Sequence, residues 1–353
     1  MRSDSSQGVL VTGAAGFLGR NLVRSLLARG HRVRALIHRT PMEIEHPALE
    51  CLSGDVADAA VAREACHEID LVLHTAAKIA LFGGSSVTES YRTAAWRTNV
   101  DGTELLLEAA QRRGATRFVY TSTVDVCFAG QPCTQMDRTT PYVVAPKSVY
   151  VASKIAAERA VLAANAEGRF HTCSIRPDGI YGPGANMMMD RFIPELAAGH
   201  LRVGVGSPSS IQDNSHVDNL VHAELLAAEQ LGPGGRANGN AYFVSDDAPM
   251  NSFEFFRPII EDLGGKVPGL FVPAHVIAPI VRAWEHLHFR LGLPEPMLSP
   301  HELDKVSVSH YGSNRDAERD LGYRPVIGYR EAIAGCLPYC RELFAACRSK
   351  APA

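Results

Sequence analysis

From Gly8 onward, short β-branched runs alternate with longer alanine- and leucine-rich stretches. "GVLVTG" reads as a first strand and "FLGRNLVRSLLARG" as a first helix ended by Gly30. Further strands are expected at "HRVRALIH", "LECLSGD", "DLVLHTAA", "RFVYTSTVDV" and "FHTCSIRPDGIYG", with helices over 57 to 67, 97 to 113 and 150 to 167. Strands that return through helices build a parallel sheet, so the pattern predicts an α/β, doubly wound, Rossmann-type core. After Gly184 the alternation fades into short strands such as "NAYFVSD", helices, and loops such as "GPGGRANGN". Residues 1 to 184 are therefore expected to form the dinucleotide-binding core. Residues 185 to 353 are expected to be mainly a smaller substrate-binding lobe, interleaved with that core.

Composition narrows the partner. The 353 residues are 46% hydrophobic with a formal net charge of −3, which offers no basic field for nucleic acid. No run of 18 apolar residues occurs, so no transmembrane segment is expected. The helix-like "HVIAPIVRAWEHLHFRLG" has an apolar face suited to capping a lipid-like substrate or touching a membrane surface as a peripheral contact, although an ordinary packed amphipathic helix is the simpler reading. The eight cysteines are scattered without a CxxC pair, and the N-terminus is polar. Structural thiols in a reducing, cytoplasmic compartment are expected. No metal site is expected, because Cys336 and Cys340 lack the further ligands zinc demands.

"VTGAAGFLG" sets Gly13, Gly16 and Gly19 between the first strand and the first helix. Small residues there let backbone approach a pyrophosphate, and the helix N-terminus supplies unpaired N–H groups. No Lys-Ser or Lys-Thr follows, which excludes a nucleotide-triphosphate loop. The second strand ends "ALIHRT", with Ile37 where an acid would take the ribose of NAD, followed by His38 and Arg39. The charge favours NADP as cofactor, with NAD as the alternative. Asp55, after the third strand, is a candidate partner of the adenine.

Tyr150 and Lys154 stand four apart at the start of a helical run, and "YTSTVDV" brings hydroxyls at Thr121, Ser122 and Thr123 to the same sheet edge. A tyrosine of ordinary pKa, about 10, needs a neighbouring ammonium and a cationic nicotinamide to serve as a base near neutrality. Tyr150 is then the proton donor or acceptor, Thr123 the group that holds the substrate oxygen, and Lys154 the tuner that also ties the nicotinamide ribose.

The motifs "TGAAGFLG", "HTAA", "TNVDGT", "YTST", "YVASK" and "RPDGIYGPG" resemble the extended short-chain dehydrogenase/reductases. The later stretches "DNSHVDNLVHAELLA", "GNAYFVSDDAPMNSFEFF" and "SHYGSNRDAERDLGYRPVIGYREAI" resemble the 3β-hydroxysteroid dehydrogenase branch. That resemblance implies Thr123, Tyr150 and Lys154 as the catalytic set. It implies Gly13, Gly16, Phe17, Leu18, Gly19, His38, Arg39, Asp55, Val56, Ala76, Ala77, Asn99, Tyr150, Lys154, Pro177 and Ile180 as the cofactor-binding set. Asn99 would support the active-site backbone or a water, and Pro177 with Ile180 would line the nicotinamide pocket.

The expected activity is hydride transfer between NADP(H) and a secondary alcohol or ketone of a large apolar substrate, foremost a 3β-hydroxysteroid or sterol-like molecule. Reduction of a 2-alkyl-3-oxoalkanoate or flavonoid-type ketone is the alternative within enzymes, with sugar-nucleotide epimerisation further off. A non-catalytic dinucleotide sensor is the alternative from another class. A homodimer is expected. The run Met187, Met188, Met189 is read as core filling unless it lies in a loop, and His216 as a structural hydrogen-bonding residue.

Overall fold

The computed structural model describes residues 8–83 and 87–350. In chain order the main elements are β1 (Gly8–Thr12), α1 (Phe17–Ala28), β2 (Arg32–Ile37), β3 (Leu49–Ser53), α2 (Ala59–Ala65), β4 (Ile69–His74), α3 (Glu89–Trp96), α4 (Gly102–Arg113), β5 (Arg117–Thr121), α5 (Val149–Ala163) and β6 (His171–Pro177). There follow α6 (Met187–Ala197), α7 (Val217–Glu229), β7 (Ala241–Val244), α8 (Ser252–Asp262), α9 (Ala274–Leu291), α10 (Pro300–Ser307), α11 (Arg315–Leu321) and α12 (Tyr329–Lys350).

Every residue of β1 is buried, and its side chains divide between two cores. Val9 and Val11 pack with Leu22 and Leu26 of α1 and Leu220 of α7 on one face, while Leu10 packs with Leu106 of α4 and Val161 of α5 on the other. The seven strands are all parallel in the order β3-β2-β1-β4-β5-β6-β7. This is the doubly wound sheet the alternation predicted, and its order reverses between β1 and β4.

The seventh strand, Ala241–Val244, pairs with β6 although it lies beyond residue 184. The strand at "RFVYTSTVDV" is shorter than expected, because Thr123 caps a 3-10 turn over Val124–Cys127 and accepts the Asp125 N–H. The next strand likewise stops at Pro177, and Ile180–Tyr181 pairs with Ser215–His216 in a separate ladder. The predicted helix over 97 to 113 begins as a π-turn, Arg97–Asp101, preceded by the unanticipated α3. The methionine run lies on α6, where Met189 is core and Met187 is exposed. No helix among the described residues is long and apolar enough to cross a membrane.

A buried ion pair locks α5 to β6. Arg176 Nη2 lies 2.6 Å from Glu158 Oε1, and Nε donates to both carboxylate oxygens at 3.0 and 3.2 Å. The Tyr142 hydroxyl and the Ser174 hydroxyl donate to the same carboxylate at 2.7 and 2.8 Å. Both charges are out of water, so removing one leaves the other uncompensated, at a cost of about 3–5 kcal/mol. Glu158→Ala is expected to lose that much stability in urea unfolding, whereas Glu158→Met with Arg176→Met recovers most of it. A single variant as stable as wild type would show that the pair does not hold the helix.

Candidate functional site

The glycine turn between β1 and α1 is built for close backbone approach. Gly13 has φ +63°, and a Cβ there would lie 2.8 Å from the Ala76 Cα at the end of β4. A Cβ at Gly19 would meet the Gly13 carbonyl oxygen at 2.3 Å. Gly16 caps α1 without a side-chain hydrogen bond, and the first turn carries no acid. An exposed, uncapped helix start of this kind suits an anionic pyrophosphate. Phe17 is half-buried at that start, whereas the Leu18 side chain belongs to the core.

The other predicted cofactor residues stand at or just after the ends of the strands. His38 and Arg39 are exposed after β2, and Arg39 forms no ion pair among the described residues. Asp55 accepts the Ala57 N–H at 3.0 Å and meets Arg97 at 2.9 Å, an ion pair the sequence reading missed. Val56 is buried. Ala76 donates its N–H to the Thr12 hydroxyl at 3.2 Å, and Ala77 is exposed. Pro177 is buried at the end of β6, and Ile180 is half-buried just beyond it.

Asn99 is buried in the π-turn, a feature often found at functional sites. Its Oδ1 accepts the Lys78 N–H at 2.7 Å, while its Nδ2 donates to the Lys78 carbonyl at 2.9 Å and to the Ser153 hydroxyl at 2.8 Å. Ser153 in turn donates to the Tyr150 carbonyl at 2.7 Å. Asn99 thus ties the strand-end segment to the turn of α5 that carries Tyr150.

Ser148 caps α5, accepting the Val151 N–H at 3.2 Å. The free N–H groups of Val149 and Tyr150 donate to the carbonyls of Phe82 and Ala80, both at 2.9 Å. Tyr150 therefore sits in the first turn of the helix, as the spacing predicted, and packs against the Val124–Cys127 turn that follows Thr123. Among the described residues its hydroxyl has no hydrogen-bond partner. Burial and the Asp125 carboxylate push the phenol above its ordinary pKa, with the Lys305 ammonium acting the other way.

Lys154 does not reach back to that phenol. Its buried ammonium donates to the Thr121 carbonyl at 2.5 Å and lies 4.1 Å from the Tyr120 ring centre. The Thr121 hydroxyl donates to Glu224 Oε1 at 2.5 Å, so a buried carboxylate from α7 stands behind the lysine. Burial lowers Lys154 to about 7 against the pull of Glu158 and Glu224. Burial also raises Glu224 to about 7.

A second buried cluster flanks the strand ends. Lys305 of α10 reaches Asp125 Oδ1 at 2.9 Å and Asp178 Oδ1 at 2.7 Å, with His301 Nε2 3.2 Å from Asp125. Burial alone would raise the Asp125 carboxyl, yet Lys305 and His301 outweigh it and hold the group well below the carboxylate range. These carboxylates stand two residues after Thr123 and one after Pro177, inside motifs read for their neighbours. Their partner is more than a hundred residues away in the chain, so only their burial would have announced it. His216 is structural, as expected, capping α7 and donating its N–H to Asp246 at 2.8 Å.

A family model described as the 3-beta hydroxysteroid dehydrogenase/isomerase family matches residues 10–272. The chain is 44% identical to a 3 beta-hydroxysteroid dehydrogenase/Delta 5-->4-isomerase of Mycobacterium tuberculosis, covering 98% of this chain and 93% of that protein. It is 42% identical to a 3-beta-hydroxysteroid dehydrogenase of Mycolicibacterium neoaurum, over 98% and 94%. Among solved structures, MoeE5 in complex with UDP-glucuronic acid and NAD superposes with a TM-score of 0.70 at 25% identity, over 95% of this chain and 99% of that one.

The two groups near 7 leave a signature in the unliganded protein. The raised Glu224 contributes stability that is present below about pH 4.5 and lost as pH rises through about 7. The lowered Lys154 contributes stability that is present above about pH 10.5 and lost as pH falls through about 7. Stability in urea relative to Glu224→Gln should therefore fall between pH 4.5 and 7, and relative to Lys154→Met it should rise between pH 7 and 10. Flat differences in both windows would mean that neither group is perturbed.

Proposed function

The chain belongs to the 3-beta hydroxysteroid dehydrogenase/isomerase family of extended short-chain dehydrogenase/reductases, and on that premise we propose that it oxidises or reduces the 3-position of a 3β-hydroxysteroid or sterol-like substrate with NADP(H). The chain is an oxidoreductase acting on CH–OH groups. The observation that carries the finer reading is the seating of Tyr150 and Lys154 on the first two turns of α5, Tyr150 against the turn that follows Thr123 and Lys154 hydrogen-bonded to the last residue of β5.

The glycine turn and the uncapped start of α1 fit a dinucleotide pyrophosphate, and the bound nicotinamide supplies the hydride acceptor or donor. The chain's own residues move and hold the proton. The Tyr150 hydroxyl exchanges the proton of the substrate's C3 oxygen, and Thr123 holds that oxygen. Lys154 lies with its ammonium at the end of β5, where a ribose hydroxyl of the cofactor would meet it. Asn99 keeps the Lys78 segment and α5 in register. NADP is favoured over NAD by Arg39 and by Ile37 standing where an acid would repel the 2′-phosphate.

A panel of 3β-hydroxysteroids, 2-alkyl-3-oxoalkanoates and UDP-sugars, each with both dinucleotides, tests this reading through the absorbance of reduced nicotinamide. Steroid turnover is expected, and turnover of the oxo acid alone would replace it. Tyr150→Phe should lower kcat by about 10²–10⁴ while dinucleotide still binds. Turnover unchanged by that substitution would remove Tyr150 from the chemistry. Arg39→Ala should weaken NADP by about 10- to 100-fold, the worth of a hydrogen bond to a charged group, and leave NAD nearly unchanged. Equal losses for both would remove the 2′-phosphate argument.

A further inference from the structure

Helix α10 turns two basic side chains toward the end of β5. A capping box starts it: the Ser299 hydroxyl accepts the Glu302 N–H at 3.2 Å, and Glu302 Oε2 accepts the Ser299 N–H at 2.8 Å. Glu302 also meets Arg191 of α6 at 2.8 Å, and Leu303 is buried, so the helix has one rotational setting. In that setting His301 and Lys305, one turn apart, share a face. His301 Nε2 stands 3.2 Å from Asp125 Oδ2, and Lys305 Nζ stands 2.9 Å from Asp125 Oδ1.

Lys305 also donates to Asp178 Oδ1 at 2.7 Å. One ammonium thus joins the segments that follow two neighbouring strands, β5 and β6. Asp125 stands two residues after Thr123, whose hydroxyl accepts its N–H at 3.3 Å. Asp178 directly follows Pro177, the last residue of β6. The other oxygen of Asp178 lies 3.6 Å from His310 Nε2. Without Lys305, two carboxylates out of water would lose the cation they share.

Tyr150 packs on the turn that carries Asp125. Asp125 is the charge that most disfavours its phenolate, and Lys305 opposes it. Other ionisable groups approach Tyr150 from the remaining elements: Tyr120 on β5, Cys127 in the same turn, and Tyr91 of α3, with Glu285 of α9 beyond it on the Gly83 N–H. Lys154, on the tyrosine's own helix, is turned to the Thr121 carbonyl. Asp125 and Lys305 are therefore the opposed pair of charges at this phenol, one from the end of the sheet and one from the C-terminal lobe.

We propose that Lys305 is a positioning residue for the proton step. Its ammonium, shared between Asp125 and Asp178, ties the turn after Thr123 to the segment after Pro177 and cancels the Asp125 charge at the Tyr150 hydroxyl. The consequence has a direction. Oxidation of an alcohol needs the phenolate, which takes the hydroxyl proton, and reduction of a ketone needs the phenol, which returns it. A carboxylate left alone beside Tyr150 therefore slows oxidation near neutrality and spares reduction. This role rests on Tyr150 being the group that exchanges the substrate proton.

Titration of Tyr150 in complexes with NADP+ and with NAD+ tests the role without any substrate. The signal is tyrosinate absorbance, each protein being measured against its own Tyr150→Phe counterpart so that the other tyrosines cancel. Lys305→Met should raise the midpoint by about one unit, and Asp125→Asn should lower it by about as much, the effect of one nearby charge. Asp125→Asn leaves Lys305 paired with Asp178, so it carries the test if Lys305→Met does not fold. Lys305→Met combined with Asp125→Asn should titrate near the wild type. Where an alcohol is turned over, the rising limb of kcat against pH should follow the midpoint. For Lys305→Met that is about a tenfold loss of oxidation below the limb, recovered at higher pH, with ketone reduction retained. Midpoints that stay at the wild-type value in the folded variants would make Lys305 a structural tie only and overturn the role. Turnover that survives Tyr150→Phe would overturn it from the other side, with the midpoints still moving, so the two failures read differently.

Discussion

The buried pair between Glu158 and Arg176 is the constraint on which the rest of the molecule's chemistry depends. It joins the middle of α5 to the strand that ends at Pro177, and four hydrogen-bonding groups converge on one carboxylate. Two turns before Glu158 on the same helix stands Tyr150, and one turn before it stands Lys154. An ionised pair that cannot tolerate loss of one partner fixes helix and strand as a unit. The catalytic candidates then inherit a rigid frame from a contact that takes no part in the reaction.

Around this frame the buried charges fall into two groups with opposite sense. Behind Lys154, Glu224 and the ammonium are both pushed toward neutrality by burial, and Thr121 bridges them through its carbonyl and hydroxyl. Across the site, Asp125 and Lys305 are held in their charged forms because each stands within hydrogen-bond distance of an opposite charge, and Lys305 also reaches Asp178. Burial is common to both groups, and direct opposite-charge contact separates them. Tyr150 lies between, raised by burial and by Asp125, with its hydroxyl unpartnered among the described residues.

The C-terminal half is part of this frame as well as a cover for it. It supplies β7 to the sheet, α7 with Glu224, and α10 with Lys305. Through α9 it also backs the segment that receives the first N–H groups of α5.

Much of the architecture could be read from the chain because it rests on local rules. Glycines that avoid backbone clashes, strands buried on both faces, and a Tyr-to-Lys spacing of one helical turn are properties of short stretches. Those stretches identified the doubly wound sheet, the turn at Gly13 and the helix at Tyr150. The end of strand five was misread at Thr123 because a hydroxyl cap competes with strand continuation and β-propensity alone does not register it. The hydrogen bond of Lys154 to Thr121, the Asp55 to Arg97 pair, and the cation that Lys305 sets between two carboxylates were decided only by the tertiary structure. Each joins groups whose meeting depends on how distant segments pack, and a buried charge takes whatever partner that packing brings within reach. The same holds for α9: its periodicity determined a helix with an apolar face, and only the fold decided that the face would look outward.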